Sequence, residues 1–413
     1  MTTGAEPATP TRALAAKFYS FDRRLALLAL GMFAIGTDSF VIAGILGEIA
    51  RDFDVSIAAA GQLITTYALS YAIFTPITAV AMANWPRQRV LLTGILIFVV
   101  GNLVAGFGAS FALVLIGRCI SGLGAAIFAP MASATAAAMV GDKNRASALA
   151  VMMIALSAAT AFGAPIGTVI GALLSWHYTF VLIAVIGMFV AIGVAVLVEC
   201  GETTQKLSLR MRLRPIQDRR ILAVLFTTFV VLCGLYVTYT YIAVIFDRAT
   251  RGDGVALAVL ISILGIAGTV GSIVSGHLTD RIGSRIVINV SLVALALNFA
   301  WLPLTSANFA SAIVAVIIWG ICGWGVVIPQ QHRLIGLAPE YAPILLSLYA
   351  MAVYGGTSVA GVVGAVASVA IGYHQLPLVG AALIACGLVV SEYATWTIKR
   401  DGERLNKVAD LDS

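Results

Sequence analysis

The stretch Met32–Ile45, MFAIGTDSFVIAGI, sets one acid, Asp38, in the middle of a strongly apolar run. An ionised Asp at the centre of a bilayer costs about 2.5–3.5 kcal/mol on insertion scales, so its surroundings must offset that cost. Gly31, Ala34, Gly36 and Gly44 strip bulk from the run and let other helices or a ligand approach its backbone, while Phe33 and Phe40 add aromatic surface. The stretch reads as a membrane helix whose acid titrates in a water-accessible cavity between helices. The competing reading is a structural acid tied permanently to one basic partner.

Composition places the rest of the chain in the same solvent. Of 413 residues, 60% are apolar and only 11% charged, against about 25% charged in soluble domains. The chain is expected to be an all-α integral membrane protein with the lipid bilayer as its partner. Its first 20 or so residues, with Pro7, Pro10, Arg12 and Lys17, are too polar for a signal peptide and read as a cytoplasmic tail. The five cysteines are scattered singly, which argues for packing rather than for a metal or redox centre. The net charge of +6 is dispersed between apolar runs and leaves no basic recognition domain, so nucleic acid is not an expected partner.

Apolar runs long enough to cross a bilayer, about 20 residues each, occur near 24–46, 58–82, 90–108, 112–140, 147–172 and 179–198. Six more follow near 221–246, 254–278, 286–304, 309–329, 342–372 and 377–398. The expected organisation is an N-terminal tail over 1–22, a six-helix half over 23–198, a linker over 199–220, a second six-helix half over 221–398 and a tail over 399–413. With both termini in the cytoplasm, 21 of the 25 Lys and Arg fall on the cytoplasmic side and only Arg51, Arg248 and Arg251 opposite, with Arg118 inside a span. That asymmetry fixes the expected orientation.

The halves also repeat each other. Asn84-Trp85-Pro86-Arg87-Gln88-Arg89 after the second span matches Asp280-Arg281-Ile282-Gly283-Ser284-Arg285 after the eighth, at an offset of about 197 residues. The same offset sets Tyr236 of the seventh span opposite Asp38 of the first. Repeated halves around a site near the bilayer midplane are the architecture of many secondary transporters.

Four segments carry a resemblance to a known family. Gly276-His-Leu-Thr-Asp280-Arg281-Ile-Gly283-Ser-Arg285 resembles the signature loop of the major facilitator superfamily. Leu115-Ile-Gly-Arg118-Cys-Ile-Ser-Gly122-Leu-Gly124 is similar to the fourth-span motif of its proton-coupled members. Gly163-Ala-Pro165-Ile-Gly167-Thr-Val-Ile-Gly171 resembles the fifth-span motif of its twelve-span drug:proton antiporters, and Gly36-Thr-Asp38-Ser-Phe40-Val-Ile-Ala-Gly44 their first-span motif. That group includes bacterial drug, chloramphenicol, sugar and nucleoside exporters. The resemblance implies two six-helix halves around a central cavity, a location in the cell membrane such as the bacterial inner membrane, a monomer, and export of a small molecule against entering protons. It also implies proton coupling through Arg118 beside Asp38, and sealing of the two halves by Gly163, Pro165, Gly167 and Gly171. The first-half signature loop departs from the pattern. Ala79, Ala83, Asn84 and Pro86 stand where Gly, Asp, Arg and Gly are usual, so the acidic member of its charge relay is missing.

The residues themselves ask for the same chemistry. Arg118 lies at a depth comparable to Asp38, and a guanidinium there must find an anion, carbonyls or water. Candidate substrate contacts are Phe33, Phe40, Tyr67, Tyr71, Tyr236, Tyr239, Trp319, Trp324, Tyr349 and Tyr354, a wall suited to an amphipathic or aromatic-bearing molecule. Gating or packing falls to the fifth-span motif and to Gly276, Asp280, Arg281, Gly283 and Arg285. No histidine pair has metal-ligand spacing, and no nucleotide-binding Gly-Lys-Ser/Thr loop is present, so neither metal nor cofactor is expected and a gradient-driven carrier is favoured over a pump. A membrane-embedded enzyme and a proton-independent facilitator are the alternative classes.

On this orientation, a single cysteine at Arg210→Cys in a background without native cysteines is expected to react with an impermeant maleimide only from the cytoplasmic face. Labelling of intact cells from outside would invert the topology.

Overall fold

A computed structural model of the protein describes residues 22–198 and 217–411. The tail expected over 1–22 and the linker over 199–220 lie almost wholly outside the described residues. Helix α1 spans Arg23–Asp52, α2 Ile57–Ala81, α3 Arg87–Gly106 and α4 Phe111–Met139. Helix α5 is built of Gly141–Ala158, a π-helical turn at Ala159–Gly163, and Ala164–Leu173; α6 spans Trp176–Leu197. In the second half α7 spans Arg219–Thr240, α8 Gly254–Ile282 and α9 Ser284–Thr305. Helix α10 runs over Phe309–Gly325 and Val327–Leu337, α11 over Ala342–Ile371 and α12 over Leu376–Leu411. Among the described residues twelve helices are thus long and apolar enough to cross a membrane, and the chain is a multi-pass membrane protein. The last helix continues past residue 398, where the sequence reading ends the final span.

Short polar residues start these helices where backbone N–H groups lack partners. Ser56 accepts from Ala59 N at 3.1 Å, Asp218 from Arg220 N at 2.8 Å and Asn308 from Ala310 N at 2.9 Å. Asp218 also binds the Arg220 guanidinium at 2.7 Å, and these hydrogen bonds from Arg220 hold its carboxyl below the usual carboxylate range. At the turn between α8 and α9 Gly283 takes φ +84°, the left-handed region that glycine enters without steric cost.

The first helix of each half occupies the middle of the bundle. In α1 and α7, 72% and 78% of the most apolar stretch is buried, against 33–56% in the other spans. Helix α1 packs on α5 through a row of small residues. A Cβ added at Gly36 would stand 2.6 Å from that of Ala159, and one at Gly163 would stand 3.1 Å from the Phe33 ring. Added side chains at Gly167 and Gly171 would run into Val41 and Ile45. Thr37, Val41 and Ile45 are one turn apart, so the three glycines of α5 seat one ridge of α1.

This corrects an expectation. Gly163, Gly167 and Gly171 were expected to seal the seam between the halves, yet they face α1 of their own half. The neighbouring face of α5 makes the seam, with Ala161 and Ala172 against α8. A Cβ at Gly265 would lie 2.6 Å from the Ala161 backbone, and one at Gly254 would lie 2.5 Å from the Ala172 Cβ. Pro165 explains the switch of face. It has no N–H for the Ala161 carbonyl, and the chain before it widens so that Ala164 N–H bonds Ala159 O, five residues back. The wide turn presents the Ala161 backbone to Gly265.

A second seam joins α2 to α11. Gln62 donates to Gly361 O at 3.5 Å, and Gly61 and Gly364 both accommodate the Tyr241 side chain. Among the described residues, every close glycine contact between the halves lies between mid-depth and the end of the bundle opposite the start of α1. The protein is closed at that end.

Gly265→Val would overpack the α5–α8 seam at about 1–3 kcal/mol. In a protein carrying Ala172→Cys and Gly254→Cys as its only cysteines, the rate of cross-linking with a short bifunctional maleimide is expected to fall about tenfold with Gly265→Val. An unchanged rate would mean that the seam tolerates the extra volume.

Candidate functional site

Asp38 and Arg118 are both fully buried and meet directly, with Arg118 Nη1 2.5 Å from Asp38 Oδ1. The guanidinium has further partners. Nη2 donates to the Asp38 carbonyl at 3.2 Å and Nε to the Leu63 carbonyl at 3.4 Å. Its carbon lies 4.3 Å from the centre of the Tyr67 ring and 5.9 Å from that of Phe180, within reach of cation–π attraction. Carbonyls and aromatic faces hold Arg118 whether or not Asp38 is charged. Asn102 of α3 and Ser121 of α4 flank the carboxyl, although Asp38 Oδ2 accepts no hydrogen bond.

Two residues along α1 the chemistry changes. Two residues turn a helix by about 200°, so Phe40 faces away from Asp38, into the second half. Its ring meets Tyr239 edge-on at 5.8 Å and Trp324 at 5.6 Å, and Tyr239 Oη donates to the Phe40 carbonyl at 2.9 Å. These rings enclose a cavity between the halves lined by Phe40, Thr160, Tyr236, Tyr239, Trp319 and Trp324 with apolar residues of α7, α8 and α10. It offers about 40 Å³ to the centres of water-sized molecules, room for a few waters but not for a drug-sized ligand.

The other candidate contacts are spread more widely. Tyr67 lies under Arg118, and its hydroxyl accepts from Ser39 Oγ at 3.1 Å. Tyr71 and Tyr354 stack across the seam with ring centres 3.7 Å apart. Phe33 packs beside Gly163, outside the cavity lining. Tyr349 belongs to a separate apolar cluster with Ile221, Val224, Leu334 and Leu345. Sequence reasoning therefore collected as one wall residues that the fold divides among a cavity, a seam, an ion-pair site and a packing cluster, because aromatic character alone does not specify a helix face.

A model of the Major Facilitator Superfamily matches residues 28–361 of this chain. The chain belongs to that superfamily. Its relatives include the inner membrane transport protein YdhP of Escherichia coli K12, 28% identical over 89% of this chain and 94% of that protein. A chloramphenicol resistance protein of Streptomyces lividans is 32% identical over 62% of this chain and 67% of its own length. Among solved structures, a bacterial homologue of the human lysosomal transporter Spinster, described as inward-facing and unoccupied, superposes with a TM-score of 0.75 at 16% identity, covering 96% of this chain and 99% of that one. The superfamily assignment makes the protein a membrane transporter, in keeping with the twelve membrane-length helices among the described residues.

Within the superfamily pattern, the second-half signature loop is arranged differently from a charge latch between halves. Asp280 and Arg281 are exposed and form no ion pair with a described residue. Arg285 is engaged inside its own half, its Nη2 2.5 Å from Glu392 Oε2 and its Nε 3.1 Å from Oε1, and Asn289 Nδ2 reaches the same Oε1 at 2.5 Å. The pair ties α9 to α12. At Gly276 an added Cβ would meet only Ile328, at an ordinary 3.8 Å. Glu392, Ser39, Asn102 and Thr160 carry parts of the arrangement that sequence reasoning did not assign. The usable signal for Asn102 was its place as the one Asn in the apolar run of α3.

Removing one partner of a buried ion pair leaves the other charge uncompensated, at about 3–5 kcal/mol. Arg118→Leu is expected to lower the thermal unfolding temperature of the purified protein, and Asp38→Asn in the same chain to restore most of the loss. Equal losses in the single and double variants would show that the two side chains are not energetically coupled.

Proposed function

We propose that this transporter is a proton-coupled antiporter of the cell membrane, with both termini in the cytoplasm, that exports a small neutral aromatic-bearing molecule as protons enter. The observation that carries the reading is the two-faced α1. One face holds a fully buried acid paired with Arg118, and the opposite face carries Phe40, a wall of the aromatic cavity. Protonation of Asp38 removes one charge of that pair and changes what holds α1 to α4, on the helix that also shapes the cavity. A carrier must bind differently in its two exposures, and a titrating group on a shared wall supplies such a difference.

The cavity lining supports the substrate class. It contains no acid or base, and a charged ligand there would lack a partner for its charge. The Streptomyces chloramphenicol resistance relative supports an exported drug-like compound. The distribution of Lys and Arg supports the orientation, under which the closed end is the outer one and the protein is inward-facing.

Asp38→Asn keeps the shape and removes the titration. In proteoliposomes loaded with a neutral aromatic drug such as chloramphenicol, a pH gradient alone is expected to drive uphill movement by the native protein and none above background by Asp38→Asn. Counterflow down the drug's own gradient is expected to persist in the variant. Uphill accumulation by Asp38→Asn would route the proton elsewhere and overturn the reading.

A further inference from the structure

A surface cavity of about 470 Å³ opens beside α9 and α12, at the end of the bundle where α1 starts, and is lined by Arg285, Glu392, Tyr393, Thr395 and Trp396. Positive charge outweighs negative around it. Glu392 Oε1 accepts from Arg285 Nε and Asn289 Nδ2, and Oε2 from Arg285 Nη2, so both carboxylate oxygens are occupied and one guanidinium balances their charge. Arg333 of α10 stands behind the lining. Its Nη2 donates to Thr395 Oγ1 at 2.9 Å and to the Ser391 carbonyl at 3.1 Å, and its Nη1 to Ser391 Oγ at 3.2 Å. Those partners are neutral, and Arg333 forms no ion pair with a described residue. Arg400 lies over the Trp396 ring, 5.0 Å from its centre. Among the described residues, three guanidiniums thus meet one carboxylate. The surface is also layered along the helices. Val389, Tyr393, Trp396 and Arg400 follow one another at helical spacing and share one exposed face of α12. Helix α9, tied to α12 through Arg285 and Glu392, exposes Ile286, Val290, Val293 and Leu297 at the same spacing. From the end of the bundle toward its middle the order is guanidinium, aromatic ring, apolar row.

We propose that this cavity binds the headgroup of an anionic phospholipid, its phosphate toward Arg285 and Arg400 and its acyl chains along the exposed rows of α9 and α12. The layers of the surface match those of such a lipid. Basic pockets at the membrane ends of helices recognise anionic headgroups, and a guanidinium presents paired N–H groups to phosphate oxygens. Tyr and Trp rings suit the interfacial level between headgroup and hydrocarbon. A free phosphate ion would use only the basic layer, whereas a lipid uses all three. An amine-bearing zwitterionic headgroup would need an acid for its ammonium, and the carboxylate that lines the cavity has both oxygens taken. The site is separate from the central cavity and from the Asp38–Arg118 pair. It does not depend on what is transported; only its assignment to the inner leaflet rests on the orientation proposed above.

Native mass spectrometry of the full chain in detergent tests the site, with phosphatidylglycerol, phosphatidylethanolamine or phosphatidylcholine of identical acyl chains added in turn. Phosphatidylglycerol is expected to be retained as a discrete adduct and more tightly than the other two. Arg400→Gln is expected to weaken that adduct about fivefold, and Trp396→Ala with Arg400→Gln to weaken it further. Both altered side chains are exposed, and the single variant carries the test if the double one does not fold. Arg51→Gln removes the same charge from an exposed position at the opposite end of the bundle and is expected to leave the adduct unchanged. Equal or tighter retention of either zwitterionic lipid, undiminished binding in folded Arg400→Gln protein, or equal weakening by Arg51→Gln would overturn the site. Displacement of the lipid by inorganic phosphate would make it an ion site and overturn the lipid assignment.

Discussion

Burial of the Asp38–Arg118 pair constrains everything near it. Taking two charges out of water costs several kcal/mol for each ion after relaxation, and their mutual attraction offsets this only with good geometry and further partners. Those partners come from three helices. The Leu63 carbonyl and Tyr67 ring of α2, the Asp38 carbonyl of α1 and the length of the Arg118 side chain from α4 set α1, α2 and α4 at fixed spacing. Glycines admit the close approach this requires: a Cβ at Gly122 would lie 2.6 Å from the Tyr67 carbonyl.

Helix α1 is shared between that pair, the cavity and the α5 contact. Its Asp38 face turns to α4, its Phe40 face to α7 and α10, and its Thr37, Val41 and Ile45 ridge is seated on α5. Ser39, between the first two, reaches Tyr67. A rotation of α1 that relaxes the ion pair must also move the ring that closes the cavity. The small cavity fits this arrangement: part of its wall is rings meeting edge to edge, the rest apolar side chains of α7, α8 and α10.

The pseudo-repeat is chemically unequal. Asp38 points away from the cavity to a partner in its own half, whereas Tyr236 at the equivalent place in α7 lines the cavity. The signature loops differ too, with no acid in the first and with Arg285 of the second committed to Glu392. One half is built around a buried ion pair and the other around an aromatic surface. The seams between them, α5 on α8 and α2 on α11, use glycine against backbone, a ring or a small side chain, and among the described residues no charge pair crosses them.

Sequence by itself determined the class and the spans. Twelve apolar runs and one acid and one Arg at similar depth are read from the cost of polar groups in lipid, which acts residue by residue, and the bias of Lys and Arg is counted loop by loop. Four motifs were enough to identify the superfamily, because each is a local pattern. Tertiary structure alone decided which face of each helix does what. Glycine spacing in α5 announced tight packing but not its partner, and the turn before Pro165 gave that face to α1 and the next face to α8. Ten aromatic candidates looked alike in the chain, yet helix rotation sent Tyr67 to the ion pair, Tyr349 to a packing cluster and Phe40 to the cavity. The Arg285–Glu392 pair joins residues 107 positions apart. No local pattern encodes such a contact; only the packing of α9 against α12 makes it.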